Sequence, residues 1–290
     1  MTQESIVLPA GACDCHTHVV GNATEFPMVN ERFYTPELAP HDALLNHMSR
    51  NDLQRTVIVQ PSFYGTDNSC MIESLTRLQG AGRGVAVVDD DVDDEATLLH
   101  LHSVGVRGLR INVESSGVRD PRAVEAPMQR WAERIAHLGW HLQIYATHNT
   151  IAEISHFLKS LQIPVVLDHF AMVPASTSIE DVKLRSIFNL VECGNVYVKL
   201  SAPYRIAETN PTVMAKNLAR ALIQCNPERV LWGSDWPHTN REPGKQMHEV
   251  SRYRNISSET LAESINLWLP TSMLRQQVLV INPNRLYDFQ

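Results

Sequence analysis

Four side chains in this sequence have the types and spacing for acid–base or carbonyl chemistry. His16 and His18 form an HTH triplet near the start, His169 ends the run PVVLDHF, and Asp235 ends VLWGSDWP. Two imidazoles at i and i+2 on one strand share a face, so they can grip one metal ion or hydrogen-bond one carbonyl oxygen. A carboxylate beside them can take a proton from water. Alone, an HxH triplet is weak evidence, and an aspartate after a strand is often a cap or turn residue. All four groups nevertheless fall at the ends of apolar runs, and that coincidence outweighs the separate packing explanations. Strand alternation also places Asp14 with the two histidines and turns Cys13, Cys15 and Thr17 towards the opposite layer.

The elements that must position these groups are legible as eight short β-branched runs. They are ACDCHTH, RTVIVQP, RGVAVVD, VRGLRIN, HLQIYA, PVVLDHF, VYVKLSA and RVLWGSD. Helical periodicity separates them, as in HDALLNHMSRNDL, EATLLHLHSVG, MQRWAERIAHLG and MAKNLARALIQC, and glycine follows several of these stretches. Strand–helix alternation implies parallel pairing through right-handed crossovers. No glycine-rich phosphate turn of a doubly wound sheet is present, and no linker-like stretch divides the chain. The expectation is an α/β fold, a (β/α)8 TIM barrel formed by residues 1–290 as a single domain. His16, His18, His169 and Asp235 then meet at the C-terminal rim of strands one, six and eight. After strand eight, a loop, a helix near LAESINLWL and a closing helix ending in NPNRLYDF are expected.

Composition narrows the class. The chain has 290 residues, 43% hydrophobic residues and a net charge of −7. That is ample for a core and argues against nucleic acid or an anionic membrane as partner. Five cysteines without framework spacing, no secretory leader and no membrane-spanning run point to a cytoplasmic protein. Nothing signals an oligomeric state. The acidic run at 89–95 reads as a solvated loop, since it lacks the glycine and ligand spacing of a calcium loop. His41, His47, His100, His102, His137 and His156 read as surface residues of helices. Trp131, Trp140 and Trp268 read as packing residues, and Trp232 and Trp236 as flanking the site.

Basic and hydroxyl groups near the same rim suggest an anionic ligand. Arg110 ends the fourth strand and Arg205 follows the seventh, and arginine is a natural bidentate partner for a carboxylate. Ser62, Thr66, Asp67 and Asn68 lie after the second strand. Tyr145 and Tyr34 could add hydroxyl donors.

HTH, the DH after strand six, GSDWPH and the terminal NPNRLYDF together resemble the amidohydrolase-2 family, nearly end to end. QPSFYGTDN and KLSAPYR are similar to its 2-pyrone-4,6-dicarboxylate lactonase-like branch, which includes lactonases and sugar-acid lactone isomerases. Metal-dependent members carry a histidine at the fifth strand end. This chain has Tyr145 there, with His148 just beyond and His141 at the strand's start, so a binuclear centre is not expected. The resemblance implies a metal-independent site; if a metal were bound, zinc on His16, His18 and Asp235, with or without His169, is the alternative. The branch also looks to have a basic residue shortly after strand four. Here Glu114, Ser115 and Ser116 precede any basic residue until Arg119, which leaves a second substrate carboxylate without an evident partner. The expected activity is hydrolysis of a small anionic lactone. Asp235 activates water, and the three histidines, at least one as imidazolium, stabilise the carbonyl oxygen. The alternatives are a lactone isomerase, a zinc-dependent decarboxylase and a non-catalytic binding protein.

Overall fold

In the computed structural model, which describes residues 7–89, 94–113 and 120–290, the eight runs are eight strands. We label them β1 (Cys13–Thr17), β2 (Arg55–Val59), β3 (Gly82–Ala86), β4 (Val106–Asn112), β5 (His141–Tyr145), β6 (Val165–Leu167), β7 (Val196–Leu200) and β8 (Val230–Trp232). Each pairs in parallel with the next in sequence. The ring closes just past β8: Asp235 N donates to His16 O at 2.9 Å and His18 N to Trp236 O at 2.8 Å. The result is a (β/α)8 barrel. A two-residue parallel pair, Thr35–Pro36 with Val250–Ser251, lies outside it.

The helices form where the apolar spacing predicts. In the helix Lys216–Cys225, Leu218, Ala219, Leu222 and Ile223 are buried, the i, i+1, i+4, i+5 stripe of an amphipathic helix. Asp181 caps the helix Val182–Glu192 by accepting from Lys183 N and Leu184 N. Gly139 and Gly194 end their helices at φ +67° and +85°, a region that costs glycine little. Asp94 caps the helix Glu95–Ser103; the rest of the acidic run, residues 90–93, and Glu114, Ser115, Ser116 and Arg119 lie outside the described residues. The chain ends with the helices Ser258–Trp268, Ser272–Gln276 and Asn282–Tyr287.

The barrel interior corrects one expectation. Cys13 and Cys15 pack with Val57, Val59, Val85, Val166, Tyr197 and Leu231, residues from several facing strands, above Tyr287 and Phe289. They therefore fill the lumen. Asp14 points outward and meets His47 of the helix His41–Arg50. The cause is an irregularity in the β1–β2 pairing between Asp14 and Thr17, which shifts the alternation before His16. His41 and His47, expected at the surface, are both buried. Phe289 seals the far end of the barrel beneath the guanidinium of Arg83, 4.6 Å from its ring. Among the described residues, no helix is long and apolar enough to cross a membrane.

Candidate active site

The backbone at the rim is unusual, and it sets which side chains converge. His169, Ala202 and Asp235, which follow β6, β7 and β8, all have positive φ (48°, 46° and 62°). Left-handed backbone costs non-glycine residues roughly 1–2 kcal/mol each, so the surrounding packing must hold it. At His169 the turn breaks strand alternation, so that Asp168 and His169 both face the centre. The strand ends are also drawn close at Gly233, where a Cβ would come within 2.7 Å of His16 Cβ.

The outcome is one buried cluster. Asp235 Oδ1 lies 3.4 Å from His18 Nε2, 3.6 Å from His16 Nε2 and 4.0 Å from His169 Nε2. All four side chains are almost fully enclosed. Asp235 Oδ2 accepts from the Tyr204 hydroxyl at 2.7 Å and from Arg205 Nη2 at 2.8 Å and Nε at 3.2 Å. Burial would push the Asp235 carboxyl up, but Arg205 and then His169, His18 and His16 outweigh it and hold it well below the usual carboxylate range.

Beneath the cluster lies a second charged group that was not singled out from the sequence. Lys199 on β7 is fully buried, and its ammonium reaches Gln143 Oε1 at 2.6 Å, His16 Nδ1 at 3.3 Å and Asp168 Oδ1 at 3.5 Å. Asp168 Oδ2 also accepts from Gln143 Nε2 at 3.1 Å and from Arg110 Nη2 at 3.4 Å. Burial, and next Lys199, push the His16 imidazole down to about 3. Burial likewise pushes His169 well down, so both rings are neutral near pH 7. His18 donates from Nδ1 to Val59 O at 2.7 Å, because a carbonyl only accepts. Its Nε2 can therefore offer the centre an N–H only as imidazolium.

The remaining expected residues divide. Arg110 joins the centre through Asp168, and its guanidinium stands 5.4 Å over the ring of Tyr145. The Tyr145 ring meets His169 edge-on at 5.5 Å. Arg205 is bound to Asp235 rather than facing only solvent, with its side chain 23% exposed. Tyr34 lies at the rim near Thr239 and Arg205, and burial pushes its hydroxyl pKa up. Ser62 starts a short 3-10 turn after β2 and is half-buried. Thr66 is exposed and donates to Asp89 Oδ2 at 3.2 Å. Asn68 is spent on the backbone: Nδ2 donates to Thr66 O and Val87 O, and Oδ1 accepts from Val87 N. It braces two strand-end loops.

Trp232 and Trp236 turn away from the centre, Trp232 bonding Ser264 and Trp236 stacking on His47. His141 sits low in the barrel, 5.2 Å from the Tyr287 ring. For a metal, the donor atoms that all lie within 4.8 Å of one another belong to His16, His169 and Asp235, with His169 in place of the expected His18. His16 Nε2 and Asp235 Oδ1 have no hydrogen-bond partner among the described residues. These atoms can hold one ion.

Residues 13–289 match the amidohydrolase family, Amidohydro_2. The chain belongs to that family. The amidohydrolase is 34% identical over 293 residues to a 2-pyrone-4,6-dicarboxylate hydrolase of Comamonas testosteroni, covering 97% of this chain and 91% of that protein. It is 29% identical over 285 residues to a 4-sulfomuconolactone hydrolase of Hydrogenophaga intermedia, covering 97% and 90%. Among solved structures, it resembles a candidate 2-pyrone-4,6-dicarboxylic acid hydrolase from Pseudomonas putida, with a TM-score of 0.81 and 29% identity over 98% of this chain and 99% of that one. A Burkholderia multivorans amidohydrolase with bound zinc shares the fold, with a TM-score of 0.73 and 17% identity over 97% of this chain and 100% of that one.

Proposed function

We propose that this amidohydrolase hydrolyses a small anionic lactone, with Asp235 as the base that activates water. The observation that carries this reading is the convergence of three imidazole Nε2 atoms on one free carboxylate oxygen, 3.4–4.0 Å away. Asp235 Oδ1 takes a proton from water as the water oxygen attacks the lactone carbonyl. N–H groups of the histidines face the carbonyl oxygen as it becomes negative, where fixed donors act most strongly. The protonated Asp235 then delivers its proton to the departing ring oxygen, leaving a hydroxy acid. Arg205 keeps Asp235 ionised from one side and offers its outer edge to a substrate carboxylate, and Arg110 and Tyr145 flank the other side. The names of the relatives, both lactone hydrolases, support the reaction class.

A divalent ion held by His16, His169 and Asp235 would act as a Lewis acid on the carbonyl. The buried charge supports the metal-independent reading instead. Two carboxylates, Asp168 and Asp235, face three cations, Arg110, Lys199 and Arg205. With these five groups charged, they leave one net positive charge, which suits a substrate anion and opposes a further double charge. Five free cysteines support a cytoplasmic setting.

The test is metal analysis of purified protein combined with a panel of pyrone, muconolactone and sugar-acid lactones read by a pH indicator. One proton released per ring opened, by protein with less than stoichiometric metal, is expected. Ring rearrangement without proton release would make it an isomerase, and stoichiometric zinc with loss of activity on chelation would overturn the metal-independent reading.

A further inference from the structure

His16 and His18 face the same carboxylate oxygen, but their far nitrogens are held by opposite kinds of partner. Behind His18 stands a carbonyl, Val59 O, which can only accept. Behind His16 stands an ammonium, Lys199 Nζ, which can only donate, 3.3 Å from His16 Nδ1. Asp168 Oδ1 is equally near His16 Nδ1, at 3.3 Å. Within strict hydrogen-bond geometry, however, Asp168 Oδ1 has no partner among the described residues. A proton on Nδ1 would crowd the hydrogens of Lys199 Nζ, 3.3 Å away.

We propose that Lys199 is a positioning residue that fixes the tautomer of His16: it donates to Nδ1 and so leaves the ring's single N–H on Nε2, facing the reacting oxygen. The partner of one ring nitrogen commonly decides what the other can do. Here the consequence is a division between two neighbouring histidines. His16 is a neutral donor, suited to a carbonyl oxygen and unsuited to a metal, which needs the Nε2 lone pair. Asp168, Gln143 and Arg110 take a supporting part, because they hold Lys199 and its counter-charge in place. Lys199 touches neither water nor substrate in this scheme.

The inference rests on the reading of the cluster as a carbonyl-activating site, but its test does not depend on finding the substrate. Selective 15N-histidine labelling distinguishes the two imidazole tautomers by their nitrogen shifts, with the His16 signal identified by its loss in His16→Gln. The wild-type protein is expected to show His16 protonated on Nε2. A wild-type His16 protonated on Nδ1 would overturn the proposal, and this arm requires no variant at position 199. In Lys199→Met, with folding checked by circular dichroism, the proton is expected to move to Nδ1 towards Asp168. That change bares Nε2, so the variant should take up zinc that the wild type does not, read by metal analysis. With a lactone substrate in hand, kcat should fall about 100-fold, the typical cost of one lost donor, with KM little changed. A folded Lys199→Met protein with an unchanged His16 tautomer and unchanged zinc content would also overturn it. If the tautomers behave as stated and no lactone is opened, the functional reading fails and the Lys199 assignment stands.

Discussion

At the scale of single residues, the centre is a set of charges that hold one another in place. Arg205 illustrates this: its guanidinium occupies Asp235 Oδ2, so Asp235 stays ionised although fully enclosed. Arg205→Met should leave that carboxylate without its main partner. Removing one member of a buried pair is strongly destabilising, and with Arg205 itself 23% exposed a loss of about 3 kcal/mol is expected in urea unfolding, along with a raised KM for an anionic lactone. An unchanged midpoint would show that Tyr204 and the histidines suffice. His16, His18, His169 and Asp235 were legible in the sequence because each ends an apolar run. Lys199 was equally visible, alternating with Val198 and Leu200 in VYVKLSA, yet a strand lysine carries no spacing signature of its own. Tyr204 lies inside the KLSAPYR stretch, but only the folded loop reveals that its hydroxyl reaches Asp235.

At the scale of elements, the eight strands and their order followed from β-branched runs and the glycines between them, because parallel strands buried on both faces need such runs. What the strand pattern could not supply was side-chain direction at the rim. Alternation sends Cys13 and Cys15 outward and Asp14 inward, and the structure reverses both. The outward Asp14 then serves the site in another way. Its Oδ1 accepts from His16 N at 3.2 Å and Ser234 N at 2.9 Å, tying the end of β1 to the turn that carries Asp235. Gly233 permits the same closeness, since any side chain there would press on His16. The loop after β2 shows a further use of a polar side chain that the strand pattern could not supply: Asn68 hydrogen-bonds the backbone of two strand-end loops.

At the scale of the whole molecule, burying this many titratable groups couples stability to pH. His16 and His141 are each held down to about 3 from an ordinary 6.5, and Asp168 and Asp235 are held below the ordinary 3.8. For both kinds of group the unfolded chain binds more protons than the native one, so stability rises with pH through the interval. Thermal unfolding should therefore shift to lower temperature as pH falls below about 6.5, and more steeply below about 4, as the carboxylate contributions follow. A melting temperature constant from pH 7 to pH 5 would mean that the buried imidazoles take up protons in the native state as they do in the unfolded chain. The central claim, that Asp235 activates water in this barrel, is tested most directly by proton release from a lactone substrate of the wild type, using folded Asp235→Asn. The account predicts a loss of at least about 1000-fold in kcat with the fold retained, since an amide cannot take the proton from water. Turnover within about tenfold of wild type in a folded Asp235→Asn protein would contradict it.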